Sequence, residues 1–97
     1  MEVNTQKHLR QALLDVAKID PSDIKDCAGT GLVVDIRGAK EVQSSREVKC
    51  IALRADIDGL KMKEDNPGLE YSSVTEFAHM CGHDGHTATL LFAACLL

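Results

Sequence analysis

Eight residues, His79 to His86, restrict the fold and the chemistry of this chain more than any others. They read His-Met-Cys-Gly-His-Asp-Gly-His, so three imidazoles, a thiol and a carboxylate share a short stretch with two glycines. Thiolate and neutral imidazole bind borderline transition metals such as zinc, with bonds of about 2.0 to 2.3 Å. Gly82 and Gly85 allow the backbone to come that close. A lone Cys or His at a helix start would indicate packing, but the whole cluster predicts metal binding.

The spacing within the cluster suggests which side chains share an ion. Cys81 and His83 are two residues apart, and in an extended segment alternate side chains point the same way. Because the sequence turns apolar after His86, we expect the cluster in a loop that runs into a helix N-terminus, where the helix dipole favours anionic groups. Two or three ligands fit a structural site completed by further protein ligands or a catalytic site that keeps a position for water.

The last segment, Thr87 to Leu97, is apolar nearly all round. This pattern is typical of a helix buried on every side. The sequence stops at Leu96-Leu97 without a polar C-cap and without a following segment that could cover the helix. We therefore expect either that the chain is the N-terminal piece of a larger domain or that a partner covers this helix.

Composition limits the function classes. The 97 residues suit one small domain, and a net charge of -4 with only three aromatic residues argues against a nucleic-acid binder. The polar stretch Met1 to Arg10 has no apolar signal core, and no apolar run is long enough to span a membrane. We expect a cytoplasmic protein with free thiols, and an extracellular disulfide framework is the alternative.

Two helices are predicted before the first strand. Apolar residues at helical spacing predict an amphipathic helix from about Thr5 to Lys18, with Leu9 and Leu13 on its apolar stripe. Asp20-Pro21 is typical of an N-cap followed by proline at the first helical position. It predicts a second, short helix that reaches about Cys27 and ends at Gly29.

Two strands and a loop follow. Branched residues predict strands at Gly31–Gly38 and Val48–Ala55, which we expect to pair as an antiparallel hairpin through the polar connection Ala39–Glu47. Lys61–Ser73 is polar, contains Asn66-Pro67-Gly68 and predicts a surface loop.

Asp56 and Asp58 follow the second strand directly. Charged side chains at the carboxyl end of a strand are typical of sites in α/β proteins. The alternative is a capped turn before Gly59. The residues alone leave the two interpretations open.

Three stretches together resemble one known family. Gly29–Ile36 resembles its first strand, Ala52–Leu60 its A-L-R-A-D-x-D-[AG]-L strand, and Ala78–Ala88 its H-x-C-G-H-D-G-H-T-A metal loop. The family is the M20 metallopeptidase and amidohydrolase group, in particular its hippurate hydrolases, N-acyl-amino-acid amidohydrolases and auxin-conjugate hydrolases. The resemblance spans about Leu9 to Leu97, and the order and spacing of three motifs make it specific.

The resemblance implies an α/β fold in which residues 1–97 form the N-terminal part of a zinc-exopeptidase-like catalytic domain, with helices flanking a mixed β-sheet. It implies two divalent ions per complete site, zinc, manganese or cobalt. Cys81 and His83 are the implied ligands. Asp58 matches the aspartate that other branches of the family use to orient a metal-bound His, and Asp56 takes the position where those branches place that same His ligand. His86 and Asp84 are then expected around the ligands.

The resemblance also implies metal-dependent hydrolysis of the amide bond of N-acyl amino acids, small-molecule substrates. The family's Glu-Glu pair, two further His ligands and the lid domain come after the position of Leu97, so this segment alone is expected to be inactive. No nucleic-acid or membrane partner is expected, and a homodimer of the full-length protein stays open. The alternative function is a non-catalytic metal-binding or protein-interaction module.

Overall fold

The computed structural model describes residues 2–38 and 49–97. In chain order these residues form helix α1 (Val3–Asp15), a 3₁₀ turn (Pro21–Asp23), strands β1 (Ile24–Cys27) and β2 (Gly31–Val34), and helix α2 (His83–Leu96). The α/β character expected from the sequence is confirmed. The described part has one antiparallel pair of strands rather than a larger mixed sheet.

Helix α1 forms where the apolar periodicity predicts it, but it begins and ends two or three residues earlier than predicted. Lys18 adopts a left-handed conformation with φ of 56°, and the Ile19 N–H bonds back to the Leu13 carbonyl at 3.1 Å. These features end the helix. Leu13 is buried, as the apolar stripe requires.

The predicted short helix after Asp20 is wrong beyond its first turn. Asp20 does cap Pro21–Asp23, because its carboxylate accepts hydrogen bonds from the Ser22 hydroxyl and N–H. Ile24, however, begins β1 and is buried. The chain turns back through Ala28 and Gly29, both at positive φ, and this turn brings β2 alongside β1.

β1 and β2 pair in register from Ile24 opposite Val34 to Cys27 opposite Gly31. The turn is tight, since a Cβ atom on Gly31 would lie 2.9 Å from the Cys27 carbonyl oxygen. Lys25 and Asp35 form an ion pair of 2.7 Å across the hairpin. That contact lowers the pKa of the Asp35 carboxyl and raises the pKa of Lys25.

Polar side chains join α1 to this hairpin. Arg10 binds the Asp26 carboxylate at 2.6 Å, and the Gln6 amide donates to the same Asp26 oxygen at 3.0 Å and to the Gly31 carbonyl at 3.2 Å. Gln6 and Arg10 are both half-buried, and their long side chains reach from α1 to the hairpin.

The predicted hairpin between Gly31–Gly38 and Val48–Ala55 is also wrong. β2 takes β1 as its partner, and residues 49–55 form no strand in the structure. The connection Ala39–Glu47 and Val48 lie outside the described residues. Ile51 and Leu53, two of the branched residues of this segment, are exposed.

The terminal helix exists but differs from prediction in two ways. α2 begins at His83, four residues before Thr87, so half of the Cys/His cluster is helical. It is not buried on every side, because Phe92 and Leu96 are 66% and 73% exposed. Within the described part of the chain, no helix has the length and apolar character needed to cross a membrane.

Candidate metal site

The segment from Asp56 to Leu60, here called the 56–60 segment, runs antiparallel to residues 78–87. The Thr87 hydroxyl donates to the Asp56 carbonyl at 2.8 Å. The Asp58 carboxylate lies 2.8 Å from His83 Nδ1. Leu60 and Ala78 exchange two backbone hydrogen bonds of 2.9 and 3.0 Å. Asp56, Asp58 and Leu60 therefore each have a partner among residues 78–87.

Gly59 lies beside Ala78 at the Leu60 end of this contact. A Cβ atom on Gly59 would lie 3.4 Å from the Ala78 carbonyl oxygen, an ordinary van der Waals distance, and Ala78 is one of the few buried residues in the described part of the chain. The pairing of Leu60 with Ala78 therefore does not depend on the absence of a side chain at position 59. The alternative of a simple capped turn at Asp56 and Asp58 does not describe these contacts, because both residues bind elements distant in sequence.

His83 and Asp58 form the central pair. The His83 side chain is 20% exposed and the Asp58 side chain 53% exposed. A carboxylate only accepts hydrogen bonds, so the contact favours the tautomer in which Nδ1 carries the proton. Among the described residues Nε2 has no hydrogen-bond partner, and its lone pair is then available as a metal ligand.

Cys81 and His83 flank a glycine with an unusual backbone. Gly82 has φ of 79° and ψ of 15°, the left-handed region, and caps α2 without a side-chain hydrogen bond. The extended geometry that we used to place Cys81 and His83 on one side is therefore wrong. Gly82 turns the chain sharply between them, and Cys81 is exposed rather than packed in apolar surroundings.

Of the other members of the cluster, His86 contacts His83, whereas Asp84 and His79 are exposed. The His86 ring stacks on the His83 ring, with centroids 5.9 Å apart and planes inclined by 29°. Asp84 lies exposed in the first turn of α2, where the helix dipole favours a negative charge. His79 is exposed beside a cavity of about 710 Å³ that Met80 and Asp84 also line.

Asp56 has a different environment from Asp58. Its carboxylate forms an ion pair with Arg54, and its carbonyl is held by Thr87. Sequence reasoning did not single out Thr87 or Arg54 as parts of the site. The sequence signal for Arg54 is its charge, which is opposite to that of Asp56 two residues later. A hydroxyl that binds a backbone carbonyl has no comparable signal.

The loop predicted at Lys61–Ser73 is confirmed, and its base is closed by Glu64. The Glu64 carboxylate accepts a hydrogen bond from the Ser73 N–H at 2.6 Å and one from the Asn66 side chain at 3.0 Å. These bonds lower the pKa of the Glu64 carboxyl. Glu64 and Ser73 line the same cavity as His79 and Asp84.

The residues present fit part of a metal site. A thiol and an imidazole with an open Nε2 are the donor types that zinc takes. Within residues 2–38 and 49–97, no three His, Cys, Asp or Glu side chains converge as a ligand set. Cys81 and His83 could thus supply two donors, with Asp58 behind His83, and a stable site needs others.

Comparison with known proteins gives the class of the chain. It is 41% identical over 98 residues to N-acetyl-L-cysteine deacetylase of Bacillus subtilis, a match that covers 99% of this chain and 21% of that protein. It is 35% identical to N-acetylcysteine deacetylase of the same organism, across 99% of this chain and 23% of that protein. It is 44% identical over 70 residues to thermostable carboxypeptidase 1 of Saccharolobus solfataricus, across 71% of this chain and 17% of that protein. These relatives are hydrolases by name.

The chain belongs to the M20 metallopeptidase and amidohydrolase family and matches it as an N-terminal segment. This confirms the resemblance inferred from the three motifs. The chain spans about a fifth of the length of the two deacetylases. No family model and no solved structure matches it.

Proposed function

We propose that this chain forms the N-terminal part of the catalytic domain of a metal-dependent amidohydrolase that cleaves the amide bond of N-acyl amino acids. The observation that carries the proposal is the contact between Asp58 and His83 Nδ1. This contact uses Nδ1 and supports Nε2 as the atom that would bind a metal ion, because a carboxylate hydrogen-bonded to one ring nitrogen is typical of a metal-binding histidine. The names of the two deacetylase relatives support an acylated amino acid as substrate.

The proposal assigns a role to each residue of the candidate site. Cys81 and His83 hold the divalent ion, zinc, manganese or cobalt, together with ligands from elsewhere in the complete site. Asp58 orients His83 and increases its basicity as a ligand. When bound, such ions polarise an amide carbonyl and lower the pKa of a water molecule. His86 restrains the His83 ring by stacking, and Asp84 adds negative charge beside it.

The test is a pair of double variants in the intact protein that carries this chain. We expect Cys81→Ala with His83→Ala to abolish manganese-dependent hydrolysis of hippurate and N-acetyl amino acids and to reduce the bound metal. The matched control is Cys27→Ala with His8→Ala, which removes the same two residue types from exposed positions outside the site. Full activity and full metal content after loss of Cys81 and His83 would refute the proposal.

A second function is favoured by one observation. α2 exposes Phe92 and Leu96, so it could bind a partner chain while the cluster holds a structural metal. Gel filtration with metal analysis separates the two functions. A stable monomer of these 97 residues with bound metal and no hydrolase activity in the intact protein would favour the non-catalytic module.

A further inference from the structure

Thr87 and Thr89 lie two residues apart on α2 but use their hydroxyls differently. Thr89 donates to the Gly85 carbonyl at 2.8 Å, the local i to i−4 bond that threonine ordinarily makes inside a helix. Thr87 instead donates to the Asp56 carbonyl, 31 residues earlier in the chain. Thr87 is half-buried, whereas Thr89 is exposed.

The position of this bond matters for His83. Thr87 lies four residues after His83, so the two side chains share one face of α2, about 6 Å apart along the axis. Asp56 and Asp58 are two residues apart, and two residues of extended chain span about 6.6 Å. The two contacts therefore match in spacing, so that both can form at the same time between the 56–60 segment and α2.

We propose that Thr87 is a positioning residue whose hydroxyl fixes the 56–60 segment against α2, so that Asp58 holds His83 with Nδ1 protonated and Nε2 open to a metal ion. The inference deepens the proposed function and depends on it for the role of the ion. The arrangement itself is a property of the metal-free protein. In this proposal Thr87 acts on His83 only through the Asp56 carbonyl and Asp58.

The first readout needs no metal. We replace Thr87 by Val, which keeps the shape and removes the hydroxyl, and by Ser, which keeps the hydroxyl. Thr89→Val is the matched control on the same helix. Long-range ¹H–¹⁵N spectra of the metal-free intact protein, labelled at histidine nitrogen, report the His83 tautomer at about pH 8.5, where an ordinary imidazole is neutral. His83→Gln assigns the resonance.

We expect the wild type, Thr87→Ser and Thr89→Val to keep Nδ1 of His83 protonated. In Thr87→Val the His83 signals should move to those of an unrestrained imidazole. An unchanged tautomer in a folded Thr87→Val protein would overturn the inference, and so would a Ser variant that behaves like Val. If circular dichroism shows that Thr87→Val does not fold, the His83 tautomer is measured in Thr87→Ala instead, with the same expected result and the same result that would overturn the inference.

The second readout is zinc affinity, measured by competition with a chromophoric chelator. We expect Thr87→Val to weaken binding about tenfold, the lower end of the effect of residues behind a ligand, and Thr87→Ser and Thr89→Val to change it less than about twofold. A wild-type protein that binds no zinc, manganese or cobalt would refute the proposed function. In that case the tautomer would still decide the role of Thr87 in holding Asp58 against His83.

Discussion

Gly82 and Gly85, both near the start of α2, have different backbone conformations, and only Gly82 requires glycine. Gly82 occupies the left-handed region that ends the approach to the helix, whereas Gly85 lies within the helix and has open space where a Cβ atom would be. The first glycine is needed for its backbone conformation. The second costs helix stability, because glycine loses more conformational freedom than alanine.

These demands predict opposite signs for two alanine substitutions. Gly82→Ala should destabilise the protein by about 1 to 2 kcal/mol, since a left-handed conformation is strained for any residue with a Cβ atom. Gly85→Ala should stabilise it by up to about 1 kcal/mol through helix propensity. Urea unfolding midpoints of the two variants measure the difference. Shifts in the same direction would contradict the role of Gly82.

The histidine cluster shows which parts of the candidate metal site can be predicted from residue types and their spacing. The cluster predicts a metal site, and the resemblance implies that Asp58 matches an aspartate that orients a histidine at position 56, where this chain has Asp56. The structure instead brings Asp58 to His83, a contact that the sequence did not predict. Whether Cys81 and His83 ligate an ion stays a prediction. The bond from Thr87 to Asp56 was not predicted, because a hydroxyl that binds a distant backbone carbonyl leaves no pattern in the sequence.

At the scale of elements, the loop after the 56–60 segment depends on one carboxylate. The Ser73 N–H and then the Asn66 side chain lower the pKa of Glu64 from its ordinary value of 4.5. A group with a lowered folded pKa contributes stability above its unfolded pKa and loses it as the pH falls through the folded value. The loop should therefore be closed above about pH 4.5 and loosen in more acidic solution.

The Ser73 amide proton resonance gives a direct test of this closure. We expect it to move with a midpoint below pH 4.5, the ordinary value for Glu64. Glu64→Gln should remove this step, and the exposed neighbour control Glu70→Gln should leave it intact. A step that survives in Glu64→Gln would show that another group reports the acid transition.

The elements also show which local signals the tertiary structure overrides. Helical periodicity placed α1 correctly, because Leu13 packs where the stripe requires. The Asp20-Pro21 signal predicted a cap and the structure has it, but the following residues join a strand. The turn at Ala28 and Gly29 and the burial of Ile24 decide that outcome, and neither is a short-range pattern.

At the scale of the whole molecule, buried apolar surface is scarce. In the described part of the chain only Leu13, Ile24 and Ala78 are buried hydrophobic residues. Several large apolar side chains of α2 and of the segment before Asp56 remain in contact with water. Hydrophobic burial is the main favourable term in folding, so these faces are expected to associate with other apolar surface.

This exposure predicts concentration-dependent association of the 97-residue chain. Phe92→Lys with Leu96→Lys should shift sedimentation toward the monomer, because two charges are placed on the apolar face of α2. Val74→Lys is the control, since Val74 is 98% exposed and lies outside α2. A wild-type chain that is monomeric at every concentration, or an equal effect of Val74→Lys, would contradict the prediction.

The paired contacts between the 56–60 segment and residues 78–87 fix the number of residues between the contacting positions. Adding one residue between His83 and Thr87 would rotate the helix by about 100°, and the hydroxyl could no longer reach the same carbonyl while the imidazole met its carboxylate. Functional versions of this chain should therefore accept many replacements on the outer surface of α2, yet neither insertions nor deletions between Ala78 and Thr87 or between Asp56 and Leu60.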